Sequence, residues 1–269
     1  MYFAIPMKKP YVLFLLLTFI FAKAQNEPIV ASKINSIPSR LENNIGFDVF
    51  GYFYFIKDNV LFKTNDKQTF EYKNISLGNL TDVTIENPLK IVLFYENFNS
   101  IILLDNQLNE VQKINLSENN DPIKAAALGL SLNNRLWIYN SLDQKIGLYD
   151  YLKNTYKPIS NPLIETIKET QSSFNYFFWI DNNNNYSSCD IFGKIRTLGK
   201  IPDYDLVKII NEEEIIYTKS GNLYLVNMIK NEKYQIEILE KTFENFYYKD
   251  QILAIFTSEG IINYKITIP

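Results

Sequence analysis

Short runs of apolar and aromatic residues, separated by polar residues, follow one another along most of the chain. The runs are rich in Val, Ile, Phe and Tyr, and they end at Asn, Asp, Gly or Ser, which are typical of tight turns. Helical periodicity is scarce, and Leu163–Gln171 is the best candidate for a helix. The pattern therefore predicts an all-β fold.

The predicted strands repeat in register along the chain. One strand of each unit runs from apolar residues towards an aromatic one, as in Ile91–Tyr95, Leu136–Tyr139, Tyr176–Ile180, Ile215–Tyr217 and Ile252–Phe256. A later strand of the unit ends at Asp105, Asp150, Asp190 or Asn227, in steps of about 45, 40 and 37 residues. A period near 40 residues with four short strands per unit is typical of β-propeller blades.

The repeat predicts six blades of about 40 residues, with seven blades as the alternative. The units cover about 45–78, 79–118, 121–160, 163–201, 203–241 and 242–269. The last unit has room for three strands, so its fourth is expected from the lead-in at 25–44, where Ile29–Ser32 is a short candidate strand. A β-sandwich should not repeat every 40 residues, and a β-helix repeats faster.

Aromatic residues are abundant, with 19 Tyr and 19 Phe, and large side chains are suited to fill the wedges between blades. Phe47–Ile56 is apolar on both faces, as expected of a strand covered on both sides by neighbouring blades. Trp137 and Trp179 fall at equivalent positions of adjacent units. We interpret both as packing residues between blades rather than as a platform for a ligand.

Residues 7–25 have the layout of a secretory signal peptide, and either Met1 or Met7 is the start. Two lysines are followed by an apolar run of about 11 residues, which is too short to span a bilayer that needs about 20. Ala22 and Ala24 are suited to a signal peptidase, so cleavage is expected before Gln25. The predicted organisation is a signal peptide at 1–24, a lead-in at 25–44 and a propeller at 45–269.

Composition excludes several function classes. The net charge is −3, and loss of a signal peptide with three lysines and no acid would take it to about −6, which disfavours nucleic-acid binding. With no histidine, the chain has no Ser-His-Asp triad, no Cys-His pair and no histidine-ligated zinc. Cys189 is the single cysteine, so no internal disulfide is possible. No later segment is long enough to span a membrane after cleavage.

Three local motifs are candidates for chemistry, and each has a simpler interpretation. Gly193–Lys200 has the wrong glycine spacing for a phosphate loop and is not followed by Ser or Thr. Asp181, Asn183 and Asn185 place oxygens at alternate positions, as in a calcium loop, but a polar turn is preferred because the later EF-hand residues are missing. Glu212–Glu214 is favoured as a solvated turn. No catalytic residue and no cofactor are assigned.

The segment Leu103–Val111, together with the cleavage site at Ala24 and Gln25, resembles exported β-propeller proteins of Bacteroidota. The blade pattern is also similar to six-bladed propellers of the NHL and TolB-like kind. The resemblance covers the mature chain, and it implies a loop face that serves as a docking surface.

Two functions are therefore expected. The first is a non-enzymatic scaffold for protein partners in the periplasm or at the outer-membrane periphery, for example as an accessory of an export or assembly complex. The alternative is a ligand-binder or a carboxylate- and metal-dependent enzyme, of lyase, lactonase or glycosidase type, that uses the central channel. That alternative needs converging acids, for which Asp48, Asp82 and Glu86 are candidates. The other segments interpreted as innermost strands, Ala125–Ala127 and Phe174–Tyr176, contain no acid, so the sequence shows no convergence.

Overall fold

Six antiparallel sheets of four strands form a ring in the computed structural model, which describes residues 26–38, 43–119 and 121–269. Within each sheet the strands follow one another from the axis outwards, and the innermost strands of most neighbouring sheets are in contact around the axis. The all-β six-bladed propeller predicted from the repeat is confirmed. The predicted signal peptide at 1–24, with its cleavage site, lies outside the described residues.

The first three blades account for the chain from Asn44 to Pro158. Blade 1 consists of β3 (Asn44–Phe47), β4 (Phe53–Lys57), β5 (Val60–Thr64) and β6 (Thr69–Tyr72). Blade 2 consists of β7 (Asp82–Asn87), β8 (Lys90–Tyr95), β9 (Ser100–Leu104) and β10 (Glu110–Asn115). Blade 3 consists of β11 (Ala125–Leu130), β12 (Arg135–Asn140), β13 (Lys145–Asp150) and β14 (Thr155–Pro158).

The last three blades include the amino-terminal segment. Blade 4 consists of β15 (Ile167–Ser172), β16 (Tyr176–Asp181), β17 (Asn185–Asp190) and β18 (Ile195–Lys200). Blade 5 consists of β19 (Leu206–Ile209), β20 (Glu214–Lys219), β21 (Asn222–Asn227) and β22 (Glu232–Glu237), with β1 (Ile29–Val30) added. Blade 6 consists of β23 (Asn245–Lys249), β24 (Ile252–Thr257), β25 (Gly260–Lys265) and β2 (Ser32–Pro38).

The amino-terminal segment closes the ring, as the three-strand last unit predicted. Strand β2 pairs antiparallel with β25, from Ser32 opposite Lys265 to Pro38 opposite Gly260. The closing strand lies later in the chain than Ile29–Ser32, and the residues before it form β1, which pairs parallel with β22. The segment therefore joins two blades, because it covers the outer edge of blade 5 before it completes blade 6.

The core lies between the blades. Trp137 of blade 3 packs against Phe177 of blade 4 with ring centroids 6.2 Å apart, and its Nε1 donates to the carbonyl of Ser173 at 2.9 Å. Trp179 belongs to the same cluster. The two tryptophans are third and fourth in their strands, so they are not equivalent. They lie on opposite faces of their sheets, and for that reason they meet in one interface.

Two secondary-structure predictions from the sequence are wrong. Leu163–Gln171 is not a helix, because Ile167–Ser172 forms β15, the innermost strand of blade 4. Phe47–Ile56 is not one strand, because it passes through the turn between β3 and β4. In both places the apolar pattern is real, but the turn or the strand pairing that divides it comes from tertiary contacts.

Candidate functional site

The ring presents two faces formed by different loops. One face carries the turns that join the first to the second strand of each blade and the third to the fourth strand of blades 1 to 5, and we call it the turn face. The opposite face carries the hairpins between second and third strands and the connections between blades. The axial channel runs between the two faces. A functional site on a propeller is therefore a face, a channel mouth or a groove between blades.

Exposed apolar side chains occur on the turn face in each of blades 1 to 5. They include Phe50, Leu89, Leu152, Phe192 and Ile229, and we call these five the apolar tips; Val49, Leu132 and Phe174 are also exposed in turns of this face. Phe192 is the most exposed, with 87% of its surface accessible. Single exposed apolar residues are common on proteins. A series that places one on the same face of five successive blades calls for a more specific explanation.

Each apolar tip is held by the same kind of turn. An Asp or Asn two residues earlier accepts a hydrogen bond on Oδ1 from the tip's backbone N–H, which defines an Asx turn. The donor–acceptor distances are 2.9 Å for Phe50, 3.0 Å for Leu89, 3.1 Å for Leu152, 2.9 Å for Phe192 and 3.1 Å for Ile229. The backbone under these side chains is therefore ordered by local hydrogen bonds.

The turns themselves do not require an apolar residue. The same position of an Asx turn on this face is occupied by Lys67, Gln107 and Glu213. The same turn also occurs on the opposite face, where its position is occupied by Ser76, Ser117, Leu142, Lys145 and Asn183. Because polar residues satisfy the turn equally well, the apolar tips are not explained by turn formation.

The axial channel widens into a polar cavity of about 640 Å³. Its wall includes Asp82, Thr84 and Glu86 of β7, Gln171 of β15 and Lys208 of β19. A second cavity of about 340 Å³ adjoins Asp82 and Glu169. The cavity wall is thus more polar than apolar, and several of its side chains can hydrogen-bond a polar molecule.

The charged groups of the channel influence one another. Desolvation in the channel raises the pKa of the Asp82 carboxyl, although the residue is solvent-accessible, and the hydrogen bond from the Val83 backbone N–H and the charge of Lys208 partly offset the rise. Burial also raises the pKa of the Glu169 carboxyl, and the charge of Lys208 partly offsets that rise as well. Burial lowers the pKa of Lys208, while Glu169 and Asp82 act in the opposite direction. At the turn-face end, Glu86 Oε2 lies 3.7 Å from Lys249 Nζ.

The structure separates the acids that the sequence suggested for the channel. Asp82 and Glu86 line it, whereas Asp48 is buried in the turn after β3. Ala125–Ala127 belong to an innermost strand, but Phe174 lies in a turn. Within residues 26–38, 43–119 and 121–269, no group of three or more acidic or cysteine side chains could hold a metal ion. Glu169 and Lys208 were missed, the first because its strand was interpreted as a helix.

The calcium candidates form a hairpin turn between β16 and β17. Asp181 Oδ1 accepts hydrogen bonds from the backbone N–H of Asn183 at 2.8 Å and of Asn185 at 2.9 Å. Its Oδ2 accepts from the Asn185 side chain at 2.8 Å. Both carboxylate oxygens of Asp181 therefore accept hydrogen bonds from within the loop.

Cys189 and the Gly193–Lys200 motif are parts of blade 4. Cys189 is buried in β17, and burial with the nearby Asp190 raises the pKa of its thiol to about 12. The thiolate that a nucleophile requires is therefore disfavoured. Gly193 and Lys194 lie before β18, and the rest of the motif forms that strand rather than a helix start. Within the described residues, no helix is long and apolar enough to cross a membrane.

Comparisons with known proteins support the fold class. No protein-family model matches the chain, and neither does any curated protein. Among solved structures, virginiamycin B lyase from Staphylococcus aureus is similar with a TM-score of 0.55 and 13% identity, over 82% of this chain and 79% of that chain. BamB from Moraxella catarrhalis has a TM-score of 0.50 and 8% identity, over 88% and 100%.

A third similar structure is YCF48 bound to D1 peptide, with a TM-score of 0.51 and 12% identity, over 81% of this chain and 76% of that chain. At such identities the likeness establishes a β-propeller and does not transfer chemistry.

Proposed function

We propose that this protein is a non-enzymatic docking scaffold whose turn face binds a protein partner. The observation that carries the proposal is the series of apolar tips, one on each of five successive blades and each fixed by an Asx turn. Exposed apolar groups that are already ordered bind with a smaller loss of conformational entropy than flexible ones. The opposite face also exposes apolar side chains, so the feature that favours the turn face is the Asx turn that holds each of its five tips.

The fold neighbours are compatible with this proposal. YCF48 is a propeller seen with a bound peptide. Virginiamycin B lyase suggests an enzyme instead, but a histidine-to-alanine variant of that lyase is catalytically inactive. This chain contains no histidine. The same chemistry is therefore not open to it, and docking is the better-supported function.

The test compares two variants with matched changes. The turn-face variant replaces all five apolar tips by Ser. The control variant replaces five exposed apolar residues of the opposite face by Ser, at Ile75, Phe98, Leu142, Ile164 and Leu239. Wild type and the two variants are used as separate baits in quantitative affinity purification from cell-envelope extract. We expect at least one protein that wild type and control retain and the turn-face variant loses. Equal recovery by all three baits would contradict the proposal.

We also propose that the protein is exported and acts in the periplasm or at the outer-membrane periphery. The support is the sequence of residues 1–25. Cell fractionation and amino-terminal sequencing of the mature protein test it. The expected result is a protein in the envelope fraction that begins at Gln25, and a cytoplasmic protein with an intact start would argue against export.

A further inference from the structure

A groove between blade 6 and blade 1 opens beside the turn face, at the place where the ring is closed. It encloses about 370 Å³. Its apolar walls are Ile34 of the closing strand β2, Phe47 at the end of β3, Val49 in the following turn and Ile252 of β24. We call this groove the seam pocket. Its volume is in the range of pockets that bind small ligands or single anchoring side chains.

One polar group on the pocket wall lacks a partner. Asn263 of β25 is only 7% exposed, and its Oδ1 has no hydrogen-bond partner among the described residues. Its Nδ2 donates to Asn35 Oδ1 at 2.8 Å. Buried acceptors are nearly always paired, because an unpaired one destabilises the fold. The free acceptor therefore points to a ligand that supplies a hydrogen-bond donor.

One charge on the pocket wall is also not neutralised. Asp250 lines the pocket and forms no salt bridge within the described part of the chain. Its neighbour Lys249 is already paired with Glu86 at 3.7 Å. Asp48, the other acid on the wall, accepts the hydroxyl of Tyr54 at 2.9 Å. The pocket thus combines apolar walls, one buried acceptor and one available negative charge.

We propose that the seam pocket binds a polypeptide segment with an apolar side chain next to a basic one. The apolar side chain fills the groove between Ile34, Phe47 and Ile252. A backbone N–H of the segment donates to Asn263 Oδ1, and the basic side chain pairs with Asp250. This inference rests on the proposed docking function, since it assigns the anchor pocket of the same face and the chemistry of its partner.

The experiment uses capped hexapeptides as probes and two-dimensional amide NMR of the mature protein. The probe SGFKGS should shift the resonances of Val49, Asp250 and Asn263. The probes SGAKGS and SGFEGS, which lack the apolar and the basic group, should shift them much less at equal concentration. Equal shifts with all three peptides, or no shift with any, would overturn the inference.

Two variants separate binding from folding. Asn263→Leu removes the unpaired acceptor, so it should weaken SGFKGS binding at least about fivefold without lowering the melting temperature. Asp250→Asn should weaken SGFKGS but leave the uncharged analogue SGFQGS unchanged, and Asn is compatible with the positive φ of 49° at this position. Wild-type affinity in both variants would overturn the inference.

The outcomes also separate this inference from the proposed function. If the turn-face variant loses a partner but Asn263→Leu retains it and binds SGFKGS normally, the docking function stands and the seam pocket is not its anchor. If SGFKGS binds the pocket but no partner depends on the apolar tips, the pocket stands and the proposed docking face is wrong.

Discussion

Lys63 Nζ lies 3.7 Å from Asp48 Oδ2, and the two side chains are 2% and 0% exposed. Asp48 also accepts the Tyr54 hydroxyl at 2.9 Å, while Lys63 donates to the carbonyl of Asn106 at 2.9 Å. Asn106 belongs to blade 2, so this buried ion pair joins the first turn of blade 1 to the neighbouring blade. Its role is structural, although Asp48 was a candidate for the channel.

Replacing Lys63 by Met should destabilise the protein by about 3–5 kcal/mol, because the Asp48 carboxylate would remain buried without its cation. The measurement is urea unfolding followed by tryptophan fluorescence. Lys153→Met is the matched control, since Lys153 also lies 3.7 Å from an acid, Asp150, but is 77% exposed. That variant should differ from wild type by about 1 kcal/mol at most. Similar losses in both variants would contradict the prediction.

The junction between blades 5 and 6 can be tested with two adjacent residues. Ile29 is 6% exposed and packs in the cluster between these blades, whereas Val30 is 69% exposed. Ile29→Ala should cost about 2–5 kcal/mol in unfolding free energy. Val30→Ala should stay within about 0.5 kcal/mol of wild type. If urea unfolding shows an equally small loss of stability for both variants, β1 does not stabilise the ring.

The Asx turns should be needed for stability and the apolar tips should not. Asp190 accepts from the backbone N–H of Phe192 at 2.9 Å and of Lys194 at 3.0 Å. Asp190→Ala should lower the free energy of unfolding by about 1–3 kcal/mol, because two hydrogen bonds are lost and each contributes about 0.5–1.5 kcal/mol. Asp190→Asn keeps an Oδ1 acceptor and should lose less. Phe192→Ser should leave the thermal midpoint unchanged, and a large loss there would assign Phe192 to packing.

Cys189 should be unreactive in the folded protein. Burial and the nearby Asp190 raise the pKa of its thiol to about 12, so very little thiolate exists at pH 8. Labelling with a disulfide reagent should therefore be slow in buffer and should accelerate with urea in parallel with unfolding. Cys189→Ala provides the blank. Rapid labelling of the native protein would contradict the assigned environment.

The channel acids should make stability depend on pH. Burial raises the folded-state pKa of Asp82, so the native state binds this proton more tightly than the unfolded chain does. The resulting stabilisation is present below the unfolded-state pKa and is lost as pH rises through the folded-state pKa. Asp82→Asn, which cannot ionise, should therefore exceed wild type in stability at neutral pH and converge with it in acid.

Thermal unfolding across pH checks this expectation. Asp66→Asn, on an exposed turn, controls for the loss of one negative charge. A neutral-pH stability for Asp82→Asn below that of wild type would show that attraction to Lys208 outweighs burial.

The sequence was sufficient for the architecture because blades repeat. The spacing of Asp105, Asp150, Asp190 and Asn227 reflects the period, and the missing strand of the last unit required a closing strand from elsewhere. Both features follow from local pattern and sheet-edge chemistry, so they were predictable. The shift of the closing strand to Ser32–Pro38 was not, since register depends on which neighbours the strand meets.

The channel and the seam pocket were harder to predict, because both depend on contacts between distant strands. Glu169 and Lys208 come from different blades, and one of the two strands looked helical by itself. Asn263 of β25 lines the seam pocket only because the fold brings blade 6 next to Phe47 and Val49 of blade 1. The apolar tips had a local signal, an Asp or Asn two residues before an apolar residue in a turn, but its significance depends on the shared face.

The order in which the strands pair has a consequence for folding. Ser32 pairs with Lys265, so the ring cannot close until residues more than 200 positions apart meet. A pairing between such distant residues slows ring closure, because the chain must lose loop-closure entropy before the contact forms. Until that meeting the edge of β25 is unpaired and open to association with another copy. A second molecule could then contribute its own amino-terminal segment, so exchange of this strand is the expected misassembly at high concentration.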